Sequence, residues 1–152
     1  MSGIKGIVDT LNQPGRLWLS GLPGGMDSLV LSEIVTKAQC PLLHVCADDQ
    51  QLALQAEQVR FLAPALSQLR FPAWDCLPYD RVSPSADISG ARMQALARFG
   101  ALGSGPLLIL TTVNALMQRT VPLETVANSN LRLAPGQVVD TEKLTAFLSA
   151  NG

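Results

Sequence analysis

Residues 16–35 constrain this fold more than any other stretch. An apolar run, Arg16-Leu17-Trp18-Leu19-Ser20, is followed by the glycine-rich Gly21-Leu22-Pro23-Gly24-Gly25-Met26-Asp27-Ser28 and then by Leu29-Val30-Leu31-Ser32-Glu33-Ile34-Val35. These read as a buried strand, a tight loop and a helix, an order that brings main-chain N–H groups to the helix start. Laid on the phosphate-binding pattern G-x-x-x-x-G-K-[ST], Gly21 and Ser28 match, but Met26 replaces the second glycine and Asp27 the lysine. The lysine of such a loop holds the β- and γ-phosphates as a point cation, whereas a carboxylate there repels them. Gly21, Gly24, Gly25, Met26, Asp27 and Ser28 are therefore expected to form a degenerate P-loop with no cofactor, Asp27 capping the helix rather than meeting a phosphate. An alternative stays open: main-chain N–H groups can bind an anion without lysine, and Ser28 could meet a metal. Against it, no replacement cation occurs from Gly21 through Glu33, and the run Leu107–Leu110 ends in Thr111-Thr112 instead of an acid that would hold magnesium.

Strands and helices alternate along the chain. Ile4–Leu11 reads as a short amphipathic helix stopped by Asn12-Gln13-Pro14-Gly15. After the Arg16–Ser20 strand come a helix from about Asp27 to Ala38 and a strand Leu42–Cys46; a long helix opened by Asp48-Asp49 runs through about Phe61, and Gln68–Phe71 is a third short strand. Pro72–Asp87 is irregular, Ile88–Leu102 is helical and broken by Gly103-Ser104-Gly105, Pro106–Thr111 is a strong strand, and Val113–Arg119 a short helix. This order predicts an α/β fold with a parallel sheet covered by helices on both faces. In the tail, Asn130–Leu133 reads as a strand and Asp140–Ala150 as a helix capped by Asp140. We expect an N-terminal helix and linker at 1–15, an α/β domain at 16–127, and at 128–152 the first β-α unit of a second domain cut short.

Hydrophobic residues make up 47% and charged ones 15%, which excludes a disordered chain, and a net charge of -1 gives no global basic signature for nucleic acid. The longest apolar runs fall well short of the ~20 residues of a membrane span. With no leader segment recognisable, the protein is expected in the cytoplasm. Cys40, Cys46 and Cys76 lack paired C-x-x-C spacing and the single histidine is His44, so neither a zinc site nor a catalytic triad is expected, but reduced, mostly buried thiols and a strand histidine. Arg60, Arg70, Arg81, Arg92, Arg98 and Arg119 carry most of the positive charge and read as solvated surface residues; direct DNA binding is the competing reading.

The irregular stretch holds the most specific signal. From composition alone, Trp74 and Tyr79 would simply pin a long loop onto the sheet. Yet Trp74-x-x-Leu77-Pro78-Tyr79-Asp80-x-x-x-Pro84, followed by Asp87-Ile88 and Arg92, together with Thr112-Val113-Asn114-Ala115-Leu116-Met117-Gln118-Arg119, resembles the amino-terminal module of the bacterial transcription-repair coupling factors. The likeness runs from about Arg16 to Gly152 and covers the front end of a much longer protein. That module is similar to the first domain of UvrB, where the Tyr-Asp-x-x-x-Pro pattern roots a strand-separating β-hairpin. Here only Ser85-Ala86-Asp87 lie between Pro84 and the helix at Ile88, so the hairpin is missing along with the P-loop chemistry.

The resemblance implies a parent protein that recognises stalled RNA polymerase, translocates on double-stranded DNA with ATP and magnesium in a distant motor domain, displaces the polymerase and recruits UvrA. It implies that this fragment is a non-catalytic scaffold in transcription-coupled nucleotide excision repair. UvrA would be contacted mainly through the second domain, and an intramolecular contact would restrain the motor.

Overall fold

The computed structural model describes residues 2–11, 14–77, 79, 81–101, 105–131 and 133–151. These divide into two compact units, residues 1–119 and 120–152. The first holds helix α1 (Ser2–Leu11), α2 (Met26–Ala38), strand β1 (Pro41–Cys46), α3 (Asp49–Leu62), β2 (Gln68–Phe71), α4 (Ala86–Gly100), β3 (Leu107–Thr112) and α5 (Val113–Met117). The second holds α6 (Leu123–Asn128) and α7 (Thr141–Asn151).

The sheet is parallel with β3 in the middle, in the order β1-β3-β2. The register sets Leu42 and Gln68 on either side of Leu108. Alternation then puts Leu42, Cys46, Leu108 and Leu110 on one face, where they pack with Val35 of α2 and Leu52, Ala56 and Val59 of α3. On the opposite face Phe71 meets Phe99 of α4, ring centroids 6.0 Å apart. The α3 crossover runs from β1 outward to β2 and the α4 crossover back to β3; two right-handed connections travelling in opposite directions must lie on opposite faces. All six residues of β3 are buried, as a central strand covered on both sides requires.

Local signals account for the helix ends. Asp48 caps α3, its carboxylate accepting from Gln51 N at 2.7 Å. Ser85 caps α4 through Ile88 N, and Thr112 caps α5 through Ala115 N. In the second unit Asp140 accepts from the amides of Glu142 and Lys143 at the start of α7.

Two expected strands are corrected. Arg16–Ser20 is not a strand: it is irregular, and Leu17, Trp18 and Leu19 are exposed, Trp18 at 87%. An apolar run becomes a strand only with a ladder partner, and among the described residues β1, β2 and β3 pair only with one another. Nor do Asn130, Leu131 and Leu133 form a strand; their neighbour Arg132, like Leu102 at the end of an expected helix and Gly103 and Ser104 of the break after it, lies outside the described residues. Helix α6 was not expected from the sequence; six residues offer too few turns for a periodic signal.

Candidate functional site

The glycine-rich loop leads into α2, whose N-cap is Gly25 with φ 82°, a left-handed conformation that glycine adopts without strain. Helix α2 starts at Met26, so Asp27 and Ser28 lie in its first turn rather than in the loop. Asp27 is therefore not the N-cap. Its carboxylate instead accepts from Ser28 N at 2.8 Å, using an N–H that an anion at the helix start would need. The Ser28 hydroxyl is also committed: the residue is fully buried and Oγ donates to Gln58 Oε1 of α3 at 2.6 Å. Gly24, Gly25 and Met26 line a groove of about 520 Å³ with Leu29, Phe61 and Leu62, and Glu57 is the charged side chain in its wall. Gly21, with φ 73°, stands among exposed residues at the far end of the loop. The wall carries no cation to meet a phosphate, and its one charged group, the Glu57 carboxylate, would repel one.

The Trp74 stretch is built differently. Arg92, expected at the surface, is 1% exposed. It projects from α4 so that its guanidinium carbon lies 4.3 Å from the centre of the Phe71 ring and 4.4 Å from that of Trp74. A planar, weakly hydrated cation can be buried between two aromatic faces in a way that a lysine cannot. Its Nη1 donates to Pro72 O at 2.6 Å and to Gln118 Oε1 at 3.3 Å, and burial lowers its pKa. The same Gln118 oxygen accepts from Trp74 N at 2.7 Å. One side chain following α5 thereby ties the end of β2 to α4. Further along, Ser85 N donates to both carboxylate oxygens of Asp75, at 3.2 and 3.3 Å, closing the segment at its base. Hydrogen bonding from Ser85, first through its side chain and then its backbone, holds the Asp75 carboxyl below the usual carboxylate range.

Of the residues singled out by motif, Trp74, Arg92 and Gln118 are thus brought into direct contact. Tyr79 is not: it is 96% exposed and does not pin the loop. Leu77, Asp87, Asn114 and Arg119 are exposed, Pro84 is half-buried, and Pro78 and Asp80 lie outside the described residues. Phe71, which no motif marked, is the second ring against the cation; its position at the end of β2, next to an irregular stretch with three prolines, was the available signal. Helix α4 begins at Ala86, and the described residues between Phe71 and Ala86 contain no strand.

The thiols also need correction. Cys46 is buried, but Cys76 is half-buried and Cys40 exposed; all three are free. His44 sits in β1, half-buried, and burial pushes its pKa down against the opposing charge of Asp27. Burial, then Asp48 and Asp27, pushes the Cys46 thiol up, which favours the protonated form over the thiolate. Among the described residues no group of three or more His, Cys, Asp or Glu side chains could hold a metal ion, and no helix is long and apolar enough to cross a membrane.

Comparison with known proteins yields one kind of relative. The chain is 32% identical to the transcription-repair-coupling factor of Myxococcus xanthus over 96% of its length, 30% identical to that of Haemophilus influenzae over 86%, and 29% identical to that of Escherichia coli over 88%. It spans only 13%, 11% and 11% of those proteins. No family model matches the chain.

Proposed function

As a chain that matches a segment of the bacterial transcription-repair-coupling factors, this protein is one that we propose acts as their amino-terminal, non-catalytic UvrB-like scaffold. In this reading it serves transcription-coupled nucleotide excision repair in the cytoplasm. It presents a surface for recruiting UvrA, and it restrains an ATP- and magnesium-dependent motor that acts on double-stranded DNA and displaces stalled RNA polymerase. The cofactors belong to the motor and not to this segment.

The observation that carries the reading is the state of the glycine-rich loop. Where a nucleotide site needs a lysine, a free hydroxyl and unoccupied N–H groups, this chain has Asp27, a hydroxyl bonded to Gln58, and an amide bonded to a carboxylate. A fold with its catalytic positions tied up in internal bonds retains value as a surface. The test is a pull-down of purified UvrA by residues 1–152 and by the full-length protein, each with and without ATP. The reading expects retention by the full-length protein. UvrA retained by neither chain would remove the recruiting role.

A further inference from the structure

Strand β1 is paired along one edge only. It runs beside β3, and among the described residues its other edge has no ladder partner. One of its faces is bare as well. Leu42 and Cys46 pack under α2 and α3, but Leu43 and Val45 point to the opposite face and are exposed at 51% and 38%. Their register partners in β3, Ile109 and Thr111, are buried. Parallel strands are ordinarily covered on both faces, and an open edge is a template for another strand.

The exposed run Leu17-Trp18-Leu19 belongs on the same side of the sheet. Val35 of α2 lies in one cluster with α3 residues, so both helices cover the same face. The β1-α3-β2 connection crosses that face away from the free edge of β1. A right-handed connection from residues 16–20 through α2 to β1 must travel in the same direction, which sets residues 16–20 outside β1. Yet they are irregular and exposed, so this run and the β1 edge do not satisfy each other. A strand between the two would satisfy both, taking ladder bonds from β1 on one side and offering them to residues 16–20 on the other.

We propose that the free edge of β1 receives an apolar β-strand from the longer protein, outside residues 1–152. The chain spans only 13% of its Myxococcus xanthus relative, so proteins of this kind carry ample further sequence to supply one. Lying under the α2 layer and beside Leu43 and Val45, the strand is a near-continuous apolar run of about four to six residues without an internal proline, comparable to Leu107–Leu110 of β3. Once seated, it turns residues 16–20 into a further strand and closes the side of the sheet that the glycine-rich loop leaves. The inference rests on the reading of this chain as part of a longer protein and not on the recruitment of UvrA.

Hydrogen–deuterium exchange, read by mass spectrometry over residues 15–22 and 41–47, compares the 152-residue chain with the full-length protein. In the shorter chain residues 15–22 should exchange as free chain, along with those β1 amides that do not bond to β3. In the full-length protein both sets should slow by at least about tenfold. Equal, fast exchange of both segments in the two proteins overturns the proposal. Slowing confined to residues 15–22 means a packing partner instead of a strand and overturns it too. So does protection already present in the 152-residue chain: if independent of concentration, residues 16–20 close the edge themselves, and if it rises with concentration, a second copy does. A failed UvrA pull-down leaves each of these outcomes readable.

Discussion

Replacing Gln118 with alanine isolates the contact that holds the Trp74 segment to the fold. Its Oε1 serves two donors, Trp74 N at 2.7 Å and Arg92 Nη1 at 3.3 Å. Without it the Trp74 amide is orphaned in a part-buried site, a loss of about 1–3 kcal/mol. Arg92 loses less, because Nη1 keeps Pro72 O at 2.6 Å. The expected total is about 2 kcal/mol, roughly 30-fold in the ratio of folded to unfolded chains. Gln118→Glu keeps an oxygen in the same place and sets a negative charge beside the guanidinium, so it should fall within about 0.5 kcal/mol of wild type or above it. Urea unfolding followed by tryptophan fluorescence reads both variants. Trp18 is 87% exposed when folded, so the signal change reports mainly on Trp74, and an unchanged m-value verifies that the same surface is exposed. If the alanine variant costs less than about 0.5 kcal/mol, or the glutamate variant costs as much as alanine, the shared-acceptor argument is wrong.

Further outcomes follow from the same geometry. Writing glycine and lysine back into the loop, Met26→Gly with Asp27→Lys, should not create micromolar ATP·magnesium binding in calorimetry, because Ser28 Oγ stays bonded to Gln58. His44 has a folded pKa below its ordinary 6.5, so the unfolded chain takes up its proton first. Its contribution to stability is complete above about pH 6.5 and is lost as pH falls through that value towards the lower folded pKa. The urea midpoint should therefore drop between pH 7.5 and 5.5, and the drop should shrink in His44→Gln. Leu110→Ala, at a fully buried position in the central strand, should cost about 2–5 kcal/mol by the same unfolding assay.

The pattern of the sequence reached the sheet because β3 is apolar from Leu107 to Leu110, and because the helix after β1 carries its own cap in Asp48. It misjudged Arg16–Ser20 because strand formation depends on an edge elsewhere in the chain, which no local run encodes. Arg92 was misplaced for a related reason. A guanidinium reads as a surface group until the rings of Phe71, 21 positions earlier, and Trp74, 18 positions earlier, come within about 4.4 Å of its central carbon. The substitutions in the glycine-rich loop were legible as charge, but the bond from Ser28 to Gln58 joins residues 30 apart and could only be seen in the fold. Motif reasoning marked Trp74, Arg92 and Gln118 without indicating that they touch.

The central claim, that this fold is retained for its surface and not for a nucleotide, is tested most directly by titrating ATP with magnesium into the isotope-labelled chain and following the amides of Gly21 through Ser28. The account predicts no saturable shift in that loop up to millimolar nucleotide. Saturable micromolar shifts centred on Gly24, Gly25 and Ser28 would contradict it.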